Sequence, residues 1–405
     1  MRGFRCAYII YKRYAREAYI IFPILEGRTM ALQFNVPTSP PDDLTLQLRF
    51  TEEKGPLQTE IRETFLPAEW FPQSGVQLTW PHAGTDWNYM LPEVTECYLR
   101  MAYEIAIREK LLIVSPEPEE VKRLLEEKMP ARVLDNIRWA QCPTNDTWAR
   151  DHGFITLLNE QGALLLDFRF NGWGMKFAAN WDNRINRRLS ETEILKGEYV
   201  NCLDFVLEGG SIESDGAGTI LTTSECLLSP NRNDKLSREE IEVQLKELFN
   251  ARRVLWLDHG YLAGDDTDSH IDTLARFCPN DTIAYVQCTN PDDEHYRTLQ
   301  LMEEQLRTFR TENGEPYRLL PLPMPAAIYD EDNQRLPATY ANFLVTNRCV
   351  LMPTYGQPVT DDEARRVLQK AFPKFDITGI DCRALIRQHG SLHCCTMQFP
   401  AGVIQ

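Results

Sequence analysis

Four polar clusters carry side chains that could do chemistry. In chain order they are "TWARDHGF" with Asp151, "LEGGSIESDG" with Glu208, "GDDTDSHIDT" with Asp266, His270 and Asp272, and "HGSLHCC" with Cys394 and Cys395. Singly, each has an ordinary reading. Asp-x-Gly is common turn chemistry, and the glycines after Glu208 permit a tight bend. A lone cysteine is more often a small buried apolar residue than a nucleophile. Asp266, His270 and Asp272 could ligate a cation. They lack the glycine-centred spacing of a calcium loop and the helical His-x-x-x-His of a zinc enzyme.

Taken together, the clusters fit one reaction class. A guanidinium is planar and cationic, and paired carboxylates grip it through charge-assisted hydrogen bonds. Held flat, it exposes a central carbon that resonance makes a poor electrophile. Attack there needs a strong nucleophile and a proton donor for the leaving nitrogen. Cysteine and histidine supply these.

The elements that must position these residues recur along the chain. Amphipathic helical stretches begin near Glu119, Trp181, Ser237, His295 and Asp362, so successive starts lie 62, 56, 58 and 67 positions apart. Ser237-x-x-Glu240 and Thr360-x-x-Glu363 read as capping boxes. Short apolar strands ending in proline precede most of the helices: "LLIVSP" (111–116), "CLLSP" (226–230) and "CVLMP" (349–353), with "AYVQCTNP" (284–291) a looser version. Runs such as "NIRWAQCP" and "RVLWLDHG" follow, and then polar loops. A strand–helix–strand–loop unit near 60 residues long predicts a repeat architecture whose units pack around a shared centre. The alternative is a single α/β domain with coincidentally even spacing. The fourth unit ends in the uncharged "LPLPMP".

Composition narrows the partners. A net charge of −16 argues against nucleic acid and suits a small cationic substrate, although from charge alone plain solubility is the better explanation. No apolar run reaches the ~18 residues of a membrane span. Eleven cysteines, without a Cys-x-x-Cys, fit a reducing compartment, hence the cytoplasm. The basic, aromatic segment 1–29 lacks the features of a signal peptide. We expect residues 1–63 to be poorly ordered or over-extended and 64–405 to form one catalytic domain.

At these residues the sequence resembles the agmatine deiminase family, which also holds the bacterial (Porphyromonas-type) peptidyl-arginine deiminases. The resemblance spans roughly 64–402 and is carried by "LPAEW", "LTWPHAGTDW", "TWARDHG", "EGGSIESDGAGTILTTSECLLSPNRN", "DDTDSHIDTLARF", "YANFLVTN", "LMPTYG" and "GSLHCCTMQ". It implies a five-bladed α/β propeller, the pentein fold, with pseudo-fivefold symmetry. It implies Cys394 as nucleophile, with Cys395 a packing residue, and His270 as the acid and base. Asp151 and Asp272 would grip the guanidinium and Glu208 would orient the site. Asp266 would contact substrate, and Trp148 would line the pocket. Phe154 and Ser391 depart from the family's usual proline and asparagine, near the expected pocket rim, which leaves substrate choice open.

The implied reaction is hydrolysis of agmatine to N-carbamoylputrescine and ammonia, with no metal or organic cofactor, in putrescine biosynthesis. Deimination of peptidyl-arginine, amidino transfer through the same intermediate, and guanidine binding without turnover are the alternatives. A homo-oligomer is left open.

Overall fold

The computed structural model describes residues 64–405 and, before them, the backbone of the strands Tyr8–Lys12, Glu17–Ile24 and Arg28–Asn35. Those three strands pair antiparallel in chain order. The expectation for residues 1–63 otherwise falls outside the described residues.

In the Arg62–Gln405 unit, the sequence periodicity becomes helices that each bury one stripe. Arg238–Phe249 buries Ile241, Leu245 and Phe249. Tyr296–Thr308 buries Leu299, Met302 and Leu306, and Pro358–Ala371 buries Ala364, Leu368 and Ala371. Such spacing by three and four residues is what a helix lying on a sheet requires. At Arg238–Phe249 the capping box is complete: the Ser237 hydroxyl accepts from Glu240 N, and Glu240 returns the bond to Ser237 N. The second expected box is absent. Pro358 opens that helix, Gln357 precedes it, and Thr360 lies inside the first turn. Proline's fixed φ and missing N–H suit it to that starting position.

Five sheets occupy this unit among the described residues. Three repeat one order: an antiparallel hairpin, then a helical crossover to a parallel strand. They are Ile212–Ser214, Thr219–Thr223 and Arg253–Leu257; Ala275–Cys278, Thr282–Gln287 and Arg318–Pro323; and Leu344–Thr346, Cys349–Thr354 and Asp376–Asp381. A fourth has the same core in Ile155–Asn159, Gly162–Arg169 and Glu198–Val206, with Thr64–Phe65 on its edge. The fifth joins the two ends of this unit. Thr396–Pro400 pairs antiparallel with Gln73–Thr79, which runs parallel to Lys110–Ser115 and then Ile137–Gln141. Central strands such as Lys110–Ser115 bury nearly every side chain, as strands covered on both faces do.

One expected strand is wrong. "CLLSP" is not extended. Ser224–Leu227 is a helical turn capped by the Thr223 hydroxyl, and the central strand is the preceding Thr219–Thr223. An apolar run of this length does not distinguish a strand from a buried helical turn. The helix Leu91–Ala106, inserted between two parallel strands, has no counterpart in the expected set of five.

Candidate active site

The loops that follow the post-helical strands bring the polar clusters together. After Ile137–Gln141 comes the single helical turn Ala149–His152. It buries Asp151, whose Oδ1 accepts from Gly210 N (3.0 Å) and Oδ2 from Trp173 Nε1 (2.9 Å). Trp173 sits at φ 55°, and glycines with positive φ flank it. His270 Nδ1 lies 3.6 Å from Asp151 Oδ1. Gly210 makes this approach feasible, because a Cβ there would fall 2.6 Å from His270 Nδ1 and 2.8 Å from Asp151 Oδ1.

Glu208 is fully buried, and both its oxygens accept from Arg232 Nε at 3.0 Å. Arg232 also donates to Thr267 O (2.8 Å) and Asp268 Oδ2 (2.5 Å), tying Glu208 to the loop that delivers His270. Donor atoms of Glu208, Cys226 and His270 lie within 4.8 Å of one another.

Cys394 Sγ stands 3.8 Å from Asp272 Oδ2 and 3.4 Å from Asn342 Oδ1. Asn342 Oδ1 also accepts from the backbone N–H of His393 (2.9 Å) and Cys394 (3.3 Å), fixing the turn that carries the thiol. The His393 ring bridges two acids, with Nδ1 2.8 Å from Asp272 Oδ2 and Nε2 2.8 Å from Glu69 Oε2. Cys395 is buried in the main apolar core.

Trp148, Asp151, Trp173, Asp266 and Cys394 line a cavity that is partly open to solvent, with Asp86 and Asp146 among its other walls. Gly390 packs against Trp148 so closely that a Cβ would fall 2.2 Å from the indole. All the expected site residues therefore meet here. Asp151, Asp266, Trp148 and Cys394 form walls, while His270, Asp272 and Glu208 stand behind them, fully buried. Neither Phe154 nor Ser391 lines the cavity; Phe154 lies away from the expected rim, whereas Ser391 adjoins the wall residue Gly390. Phe154 belongs to the core around Leu112 and Val114, and Ser391 bonds Tyr355.

Charge follows from burial and neighbours. Burial pushes Asp151 up to about 6, with His270 pulling the other way. Burial alone would depress His270, but the Asp151 carboxylate, helped by Cys226 and Glu208, holds it well above the ordinary histidine value. At neutral pH the two form an ion pair. Burial, then Asp272 and Asp151, raises the Cys394 thiol far above its usual range. Asp272 stays ionised: the His393 hydrogen bond and the nearby cations outweigh its burial. Burial raises Asp146 and Asp266 to about 6 each.

Two groupings have the donor types of a metal site: Glu208, Cys226 and His270, and Glu69, Glu213 and His393. In each, an arginine already occupies carboxylate oxygens, Arg232 in the first and Arg276 in the second. A metal ion would have to displace or face those cations.

Several residues of the site escaped sequence reasoning. Asn342 lies 19 positions beyond the end of the fourth post-helical strand at Pro323, inside "YANF". Trp173 was signalled only by the glycines of "NGWG". His393, Glu69, Arg232 and Arg276 lie within motifs that carry the family resemblance, but nothing in the sequence gave them a role.

Residues 65–400 match the Porphyromonas-type peptidyl-arginine deiminase family. The agmatine deiminase of Stutzerimonas stutzeri is 32% identical over 367 residues, covering 84% of this chain and 96% of that protein. A crystal structure of a Porphyromonas gingivalis protein, provisionally named an arginine deiminase, superposes with a TM-score of 0.80 at 52% identity, covering 84% of this chain and all of the other. A cysteine-to-serine variant of C. jejuni agmatine deiminase with substrate bound gives a TM-score of 0.76 at 38% identity, over 83% of this chain and 96% of that one. The chain shares their mixed α/β fold and belongs to the Porphyromonas-type peptidyl-arginine deiminase family, enzymes that act on guanidino C–N bonds.

Proposed function

We propose that this chain hydrolyses agmatine to N-carbamoylputrescine and ammonia, with its five sheets forming the blades of a propeller around the site. The observation that carries the choice of substrate is the cavity wall. Among the described residues it holds Asp86, Asp146, Asp151 and Asp266, and no lysine or arginine. An amine at the far end of the substrate finds carboxylates there, whereas the α-carboxylate of free arginine would meet like charge.

In this reading Asp151 and Asp272 clamp the guanidinium. Its positive charge offsets the acids that hold the Cys394 thiol protonated, and the thiol proton leaves to solvent. The thiolate adds to the central carbon. His270, charged at neutral pH, protonates one nitrogen, the C–N bond breaks and ammonia departs, leaving a cationic amidino-thioether on Cys394. His270, now neutral, takes a proton from water as the hydroxide adds to the same carbon. The C–S bond then breaks, the carbon–oxygen bond becomes a carbonyl, and the hydroxyl proton ends on ammonia. Glu208, held by Arg232, keeps His270 in place.

A peptidyl-arginine substrate is the second reading, favoured by the family match. Ammonia release from agmatine, arginine and a blocked arginyl peptide, assayed side by side, tests both. Turnover of agmatine alone, without an amine acceptor, supports hydrolysis of agmatine. Preference for the peptide overturns the agmatine assignment, and a requirement for an acceptor amine would mean amidino transfer. The ten unpaired cysteines among the described residues support a reducing compartment, the cytoplasm in this reading.

A further inference from the structure

Behind the Ala149–His152 turn, which gives Asp151 to the reaction site, lies a separate cavity. It is partly open to solvent, and Arg150 is one of its walls. Arg150 is only 4% exposed. Its Nη1 approaches the Met397 sulfur at 3.6 Å, and its Nε and Nη2 have no hydrogen-bond partner among the described residues. Those two nitrogens form one edge of the planar guanidinium, the edge that offers two parallel N–H donors. A carboxylate matches that edge with two oxygens, as a phosphate also does, and the apolar walls favour the carboxylate on an alkyl chain. Leaving a buried guanidinium edge unbonded is costly.

The surroundings define the rest of the ligand. Leu66, Phe71, Ile155, Ile212 and Met397 supply apolar walls suited to a short alkyl chain. The Thr156 hydroxyl, also buried and unpartnered, offers a further donor. Glu69 and Glu213 share the cavity, but other groups hold them. Glu69 accepts from Arg276 Nη2 (2.6 Å) and Val345 N (2.6 Å) and lies against His393. Glu213 accepts from Arg276 Nε and from Phe277 N (3.1 Å). Arg150 has no acid within ion-pair distance among the described residues.

We propose that this cavity binds a small aliphatic carboxylate, seated on the Nε/Nη2 edge of Arg150 with its chain among the apolar walls. The test uses the full chain carrying ¹³C-methyl methionine, with the Met397 methyl signal assigned from Met397→Leu. Sodium butyrate is titrated against butanol, butylamine and sodium chloride as matched controls. The expected result is a saturable shift of the Met397 signal with butyrate alone, while the signals of the core residues Met101 and Met302 stay put. In Arg150→Gln, checked for an unchanged circular dichroism spectrum, butyrate should bind at least tenfold more weakly. If that variant does not fold, the comparison of butyrate with the controls on the unaltered chain decides. No Met397 shift with butyrate, or the same shift with butanol or chloride, overturns the proposal.

Discussion

Cys394 and Cys395 are neighbours in sequence but face different surroundings. Both pack in the main buried core, but only Cys394 also lines the reaction cavity, beside Asp272. Cys394→Ala should cut ammonia release by at least ~10³-fold. Cys395→Ala should keep most of the activity and cost about 1–2 kcal/mol of stability. Equal loss in both would reassign the nucleophile. The thiol also reports on its acids. Asp272 Oδ2 lies 3.8 Å from Sγ, and a full charge ~4 Å away is worth on the order of 4 kcal/mol at an effective dielectric of ~20. Asp272→Asn should therefore lower the thiol pKa and speed alkylation of Cys394 by iodoacetamide at pH 7 by at least about tenfold, even as turnover is lost. Asp151 gives the acid limb. Its pKa of about 6 means that it is neutral below that pH and charged above it. The KM for a guanidinium substrate should accordingly rise steeply as pH falls through about 6, and a flat KM would remove Asp151 from the clamp. The clamp, histidine and thiol were legible because each sits in a short polar motif, and the family resemblance gave those motifs their roles. Asn342 and Arg232 stand in such motifs too, but their roles were not legible, because bracing a side chain far away in the chain shows only once the loops meet.

At the scale of elements, sequence periodicity located the amphipathic helices but not all their starts or their partner strands. The two capping boxes illustrate the difference. Both have the right residues three positions apart, yet only Ser237 stands outside its helix with extended backbone, where its hydroxyl can reach Glu240 N. Thr360 follows Pro358, which has already begun the helix. Ser237→Ala should thus cost about 1 kcal/mol and lower the melting temperature by about 2 °C, with kcat unchanged. Thr360→Ala should fall within about 0.5 kcal/mol of the parent. Equal losses would restore Thr360 as a cap. The misread "CLLSP" has the same origin. Five residues fit either period, and the Thr223 cap that decides the matter lies just before them.

For the whole molecule, the central question is what joins sheets whose strands do not pair with one another. Arg276 is one such tie. It is 1% exposed and leaves the strand Ala275–Cys278 to bind Glu69 and Glu213. It also donates to the carbonyls of Ala341 (3.1 Å) and Phe343 (2.5 Å), and its guanidinium lies 4.4 Å from the Phe343 ring centroid. Its partners therefore come from the segment before Gln73–Thr79, from Ile212–Ser214 and from the chain leading into Leu344–Thr346. Through Glu69 and His393 the network continues to Asp272 and the Cys394 sulfur. Removing one member of a buried ion network typically costs ~3–5 kcal/mol, chiefly because the remaining charges are left unpaired. Arg276→Met should lose about that much in urea denaturation, and Cys394-dependent turnover should fall with it even where the chain stays folded. Neutralising the stranded acids separates pairing from packing. Arg276→Met combined with Glu69→Gln and Glu213→Gln should recover a large part of the lost stability while activity stays low, because His393 no longer has the Glu69 carboxylate beside it. If the triple variant is no more stable than Arg276→Met, the arginine holds the sheets by its volume and contacts, and charge pairing across the molecule is not what fastens them.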